Sequence, residues 1–150
     1  MQIKEIQEYA QVRTKARAYL CYIMSRNISQ NIQSGDINFV LSKLNDIKKS
    51  ISKAEVIYAL DSNGVQITDN ISDQKKLNGI GKGDDRSDRA YYYRTLDEHR
   101  CSLTDPYPSL ISNKMVVTSS FHIYDDSDHL LCIICVDLTL ENILKMVHPS

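Results

Sequence analysis

The sequence predicts an α+β domain, an antiparallel sheet flanked by helices and preceded by a long N-terminal helix. Three observations carry this. From Gln2 to about Asn31 there is no Gly or Pro, and apolar residues recur near helical spacing. At Glu55 the period changes to short β-branched runs. Two longer runs, 115–124 and 129–138, flank the acidic turn DDSD and pair as antiparallel neighbours. At 150 residues the chain suits one unit, with helices over 1–53 and the sheet domain over 54–150.

The first helix carries a narrow seam of Ile3, Ile6, Tyr9, Val12, Ala16, Leu20 and Ile23, continued by Asn27 or Ile28. Such a seam suits packing against another helix, and its length exceeds what the remaining domain is expected to cover, so the helix is expected to form a homodimer. Ser34 and Gly35 end the pattern. Asp36 then caps a second helix with apolar positions Ile37, Val40, Leu41, Leu44, Ile47 and Ile51. EVIYALD and VQITD, separated by SNG, read as a hairpin in which Gly64 takes positive φ. The GIGKG run that follows lacks dinucleotide-fingerprint spacing, precedes two acids and reads as a flexible surface loop. Ser87 or Asp88 caps a short helix, RAYYYRTLDEH, and a brief strand over 101–104 leads into the Pro-bounded Tyr107. A last helix spans 139–147.

Charge is uneven. Up to Lys53 there are nine Lys or Arg against four acids, and beyond it nine against fifteen, for a net charge of -1. The basic residues are dispersed among Gln, Asn and apolar positions, which reads as a solvated helix face and not as a nucleic-acid surface. No stretch approaches the roughly 18 to 20 apolar residues of a membrane span, and the N-terminus has no apolar signal core, so a cytoplasmic location is expected. Cys21, Cys101, Cys132 and Cys135 lack the density and spacing of a disulfide framework. Within CIIC, residues three apart on a strand point to opposite faces, which favours core packing over redox chemistry.

Several residues are suited to a polar ligand. Arg89 offers a fork that grips a carboxylate, or else pairs at the surface with Asp85 or Asp88. Tyr91, Tyr92 and Tyr107 combine an apolar body with a hydroxyl, and serve equally as pocket lining or as partly buried core. Asp137 ends an apolar run and there needs a partner or a hydrated cavity, unless it caps the terminal helix or emerges into water. Parity puts Thr118, Ser120 and His122 on one face of their strand and Val117, Ser119, Phe121 and Ile123 on the other, leaving the first face for a polar ligand. His122 and His129 bracket an acidic turn without metal-ligand spacing, and no cofactor is called for. There is neither a GxSxG elbow nor an HExxH helix, and His99 has no nucleophile beside it, so a binding module is expected and not an enzyme.

In order and spacing, YALDSNGVQITD, DRSDRAYY, DPYPS and VVTSSFHIYDDSDHLLCIICVDL resemble the Cache sensor domains, a PAS-like group also called PDC, over about residues 55–144. The resemblance implies a sheet whose concave face and covering loops hold a small metabolite such as an amino acid, carboxylate or amine. It also implies dimerisation through the N-terminal helix and a signalling output protein as partner. By matching position it makes Arg89, Tyr91, Tyr92 and Tyr107 pocket residues, Asp137 the acid at the end of the last strand, and Thr118 and Ser120 ligand-facing residues. Two departures stand out: Asp84 replaces the Tyr that the amino-acid-binding subgroup carries five residues before its Arg, and the membrane helices of most relatives are missing. The rival expectation is a PAS-like module without a ligand that acts only through protein interaction.

Overall fold

A computed structural model of the chain describes residues 2–29, 31–32, 36–93, 101–109 and 114–147. Helix α1 (Gln2–Asn27) is followed by the two-residue strand β1 (Asn31–Ile32). The expected second helix is present but divided into α2 (Ile37–Ser42) and α3 (Leu44–Ser50). Asp36 accepts from the Asn38 amide at 3.0 Å as its cap. At the division, the Lys43 amide donates to the Val40 carbonyl three residues back, tightening the turn while Val40, Leu44 and Ile47 still face the core.

Strand β2 (Val56–Leu60) begins the expected hairpin. Gly64, at φ 86°, closes the turn, and the Asp61 amide donates to the Val65 carbonyl. The returning arm then stays beside β2 only through isolated bridges at Gln66 and Ile71. The glycine-rich segment is exposed but pinned, with Asn70 donating to Ile80 and Gly83 to Gln66. At Gly81, also at positive φ, any Cβ would lie 2.6 Å from the Gln66 amide nitrogen, which explains the bare backbone there. Helix α4 (Ala90–Tyr93) starts the expected tyrosine helix, whose remainder, including His99, lies outside the described residues. Strands β3 (Cys101–Leu103), β4 (Tyr107–Pro108), β5 (Met115–Asp125) and β6 (Leu130–Thr139) and helix α5 (Leu140–Val147) complete the order.

The sheet runs β2–β6–β5, and β1, β3 and β4 share the far edge of β5; every pairing is antiparallel except the short parallel β1. One face packs on the helices. Val117, Phe121, Ile123, Cys132, Ile134, Val136 and Leu138 from β5 and β6 share a core with residues of α1, α3 and α5. The α1 seam is spent here: Tyr9, Ala16, Leu20 and Met24 are buried in this chain's own core, and of the expected seam only Ile3 stands out, at 72 % exposure. This corrects the expectation that the domain cannot cover the seam.

A second row on α1, at four-residue spacing, stitches the helix to the edge of β3. The Tyr9 hydroxyl donates to the Thr104 carbonyl at 2.7 Å, Arg13 donates to Leu103 and Arg17 to Cys101. Cys21 completes the row with a disulfide to Cys101. Two of the arginines that make the first third basic thus cap open carbonyls beside a short edge strand. The density and spacing of the four cysteines gave no sign of this disulfide. Its partners are 80 residues apart, and only the docking of α1 on β3 brings them together.

Candidate ligand site

The other face of the sheet is built by strand parity. Register places Thr118 opposite Asp137, Ser120 opposite Cys135 and His122 opposite Ile133, while Val56, Tyr58 and Leu60 of β2 pair with Asp137, Cys135 and Ile133. On β3, Ser102 pairs with Ser120 and therefore shares this face. Tyr91 from α4 and Tyr107 from β4 cover it. The Tyr91 ring lies 6.1 Å from that of Tyr58, edge on, and 6.1 Å from that of Tyr107.

Asp137 is the electrostatic centre. It is 2 % exposed, and it does not cap α5, because Thr139 accepts from the Asn142 amide instead. The Thr118 hydroxyl donates to Asp137 Oδ1 at 2.8 Å and the Tyr58 hydroxyl donates to the same oxygen at 3.2 Å. Thr118 Oγ1 in turn pairs with the Tyr107 hydroxyl, and the Arg89 guanidinium lies over the Tyr107 ring, 5.6 Å from its centre. Arg89, Tyr107, Thr118 and Asp137 therefore form one continuous chain of contacts with a cation at one end and a carboxylate at the other. Among the described residues no group donates to Asp137 Oδ2 and Arg89 makes no ion pair.

Burial pushes the Asp137 carboxyl up to about 7, while the Thr118 and Tyr58 hydroxyls and the positive field of Arg86 pull it down and the nearby Glu55 adds to the rise. Burial likewise raises the Tyr58, Tyr91 and Tyr107 phenols, which remain neutral donors at neutral pH. Cys135 is held as a thiol by burial and by the neighbouring Asp137. A protonated thiol, neutral phenols and a carboxyl whose proton is held more tightly than usual are equipped to hold a ligand by donating and accepting hydrogen bonds.

Of the residues expected at a site, Arg89, Tyr91, Tyr107, Thr118 and Asp137 come together. Ser120 is on the same face, but its hydroxyl donates to the Tyr91 carbonyl at 2.9 Å, so it holds α4 down. Tyr92 packs against the margin of this face, its hydroxyl donating to the Ser62 carbonyl at 2.8 Å and tying α4 to the β2 turn. Three residues went unread in the sequence. Tyr58 was discoverable from the parity of EVIYALD, Ser102 only from its register with Ser120, and Arg86 looked like part of a solvated DDRSD loop. Among the described residues, Arg86 Nε and Ser102 Oγ are buried with no hydrogen-bond partner.

The two free cysteines, Cys132 and Cys135, lie on opposite faces, one in the helix-side core and one beneath the tyrosines. His122 is buried and His129 exposed, pairing with Asp125 at 3.3 Å. No cluster among the described residues is arranged to hold a metal ion.

Comparison with known proteins places this geometry. Residues 12–145 match the family described as methyl-accepting chemotaxis protein-like, first PDC sensor domain. The chain belongs to this family of sensor domains. The fold of this PDC domain is similar to that of the sensory domain of the Campylobacter jejuni chemoreceptor Tlp3 solved with isoleucine bound, at a TM-score of 0.63 and 20 % identity over 93 % of this chain and 58 % of that one. It is also similar to an extracellular ligand binding receptor from Desulfohalobium retbaense, at a TM-score of 0.60 and 13 % identity over 95 % of this chain and 26 % of that one. In sequence it is 34 % identical over 91 residues to a citrate (Re)-synthase of Syntrophus aciditrophicus, covering 59 % of the chain and 14 % of that protein. The PDC domain thus spans a small part of that relative and little more than half of the chemoreceptor domain. No helix among the described residues is long and apolar enough to cross a membrane.

Proposed function

We propose that this PDC domain binds a small polar metabolite on the loop-side face of its sheet and passes its occupancy to a signalling partner, without catalysing a reaction. The observation that carries this reading is the buried Asp137 carboxylate, whose second oxygen is open to a donor and which is joined through Thr118 and Tyr107 to an arginine without an ion pair among the described residues. An anionic group of the ligand sits at Arg89, and an amine or hydroxyl donates to Asp137 Oδ2. Tyr91 closes over the ligand and Tyr58 orients the carboxylate. The isoleucine bound by the Tlp3 domain is a molecule with both groups, an ammonium and a carboxylate, and it supports this class of ligand.

Thermal-shift screening with amino acids, carboxylates and amines tests the reading. A binding compound raises the melting temperature of the wild-type protein by mass action, and Arg89→Ala removes that shift without unfolding the protein. A compound that stabilises Arg89→Ala and Asp137→Ala as much as the parent binds elsewhere and overturns the assignment.

The rival reading, a module that fills this face with its own side chains, is favoured by the close packing of the Tyr58, Tyr91 and Tyr107 rings above Asp137. Under that reading no compound shifts the melting temperature. Homodimerisation through α1 belongs to the proposal on the outer face of the helix, where Tyr19 and Tyr22 are exposed, since the inner seam is occupied. Sedimentation of Tyr19→Glu/Tyr22→Glu against wild type tests it, and a wild-type monomer at tens of micromolar, a working range for specific interfaces, rejects it.

The Cys21–Cys101 disulfide supports an oxidising compartment over the cytoplasmic location expected from the sequence. Thiol mapping of the protein isolated without reductant separates the two: a reduced pair supports the cytoplasm.

A further inference from the structure

The group that the site described so far leaves unused is Arg86. It stands at the opposite end of one turn from Arg89, its carbonyl accepting from the Arg89 amide at 3.0 Å and its own amide donating to the Gly64 carbonyl at 2.8 Å. These two bonds clamp the turn onto the β2 hairpin and fix both arginines relative to the sheet. The Arg86 side chain is 13 % exposed. One terminal nitrogen donates to Asp84 at 3.1 Å, at the solvent rim where the Asp84 side chain is 57 % exposed, while Nε is buried with no partner among the described residues. A guanidinium carries five N–H donors, so a single rim contact leaves its inner edge unanswered. The turn runs directly into α4, whose Tyr91 packs on Tyr58 of the loop-side face, so Arg86 stands beside that face, and its positive charge acts on Asp137, Tyr91 and Cys135.

Resting on the binding site proposed above, we infer that Arg86 is a second anion-binding group of that site and makes it selective for ligands with an additional acidic group. Arg89 receives one carboxylate, Asp137 the amine or hydroxyl, and Arg86 a second carboxylate carried by the ligand's side chain. The class is the acidic amino acids and their dicarboxylate analogues. A neutral amide of the same shape offers the Nε–H one carbonyl acceptor but brings no charge to the guanidinium and no second oxygen to its fork. Ser102, on the same face with its hydroxyl buried and without a partner among the described residues, adds a second polar group to that face.

Isosteric pairs isolate the added charge. Calorimetric titration of the wild-type protein with L-aspartate against L-asparagine, and L-glutamate against L-glutamine, is expected to show one acidic member binding about 10- to 100-fold more tightly than its amide, the range for a hydrogen bond to a charged group. Arg86→Gln should bring acid and amide to similar affinities while still binding both, which also shows that the variant is folded. Arg86→Lys should retain a part of the preference, because it keeps the charge and loses the planar fork. Equal affinity for acid and amide in the wild type, a preference that survives in Arg86→Gln, or no binding of any of the four overturns the inference. The underlying site fails in a different way, by ligands that bind Arg89→Ala and Asp137→Asn as they bind the parent.

Discussion

The two faces of the sheet are made by the same strands and are both removed from water, yet one is closed mainly by hydrocarbon and the other mixes Val56, Leu60 and Ile133 with hydroxyls, a thiol and a carboxylate. On the helix side, Val117, Phe121, Ile134 and Val136 meet α1 and α5 and need nothing further. On the loop side, Thr118, Ser120, Asp137 and Tyr58 are buried at a cost that packing does not recover, and the carboxyl responds by holding its proton to higher pH. The first face is built for stability, and the second retains Ser102 Oγ, a buried polar atom with no hydrogen-bond partner among the described residues. CIIC crosses from one to the other, since Cys132 belongs to the first face and Cys135 to the second.

The largest expected effect breaks the hydrocarbon face. Leu20→Glu places a charge where Leu20 is fully buried between α1 and the sheet, and should destabilise the fold by more than about 4 kcal/mol, or prevent folding. A variant with the wild-type urea midpoint contradicts the placement of α1.

Asp137→Asn sharpens the polar face. Its folded value of about 7 lies above the ordinary 3.8, so the folded state binds the proton more tightly than the unfolded chain. The stabilisation this supplies is complete below about pH 4 and is lost as pH rises through about 7. The full shift corresponds to at most about 4 kcal/mol. Wild type is therefore expected to lose stability between about pH 4 and about pH 7 relative to Asp137→Asn, measured by urea denaturation at each pH. Parallel curves for the two proteins show that the carboxyl is hydrated.

Removing the staple at the sheet edge comes next. Cys21→Ser/Cys101→Ser should cost about 2 to 4 kcal/mol under oxidising conditions and nothing in excess reductant, since the disulfide closes a separation of 80 residues in the unfolded chain. The smallest effect is at CIIC. Burial raises Cys132 to about 12 and Cys135 well above its ordinary range, so both should alkylate slowly in the native protein and form no disulfide with each other. Fast labelling of Cys135 alone shows that the polar face opens to solvent more readily than the other.

The alternation of VVTSSFHIYD and LLCIICVDL settled in advance which residues face the helices and which face away, because a strand has a period of two and no freedom to rotate a single residue. The seam of α1, the Asp36 cap and the Gly64 turn were legible for the same reason: each depends on neighbours within a few residues. Local pattern also brought Arg89, Tyr107, Thr118 and Asp137 forward as candidates, but could not say that they touch. Tyr107 reaches Thr118 only because β4 pairs with the start of β5, and Tyr58 reaches Asp137 only because β2 lies beside β6. Arg86 and Arg89 sit in one turn, and the sequence singled out Arg89 alone, by its position before the tyrosines. The hairpin packed beneath them decides that Arg86 is mostly buried, its Nε without a partner among the described residues, while Arg89 lies over the Tyr107 ring. The disulfide and the α1 seam follow the same rule, since a helix carries its apolar residues and its cysteine wherever they are, and only the docking of that helix on β3 determines what they meet.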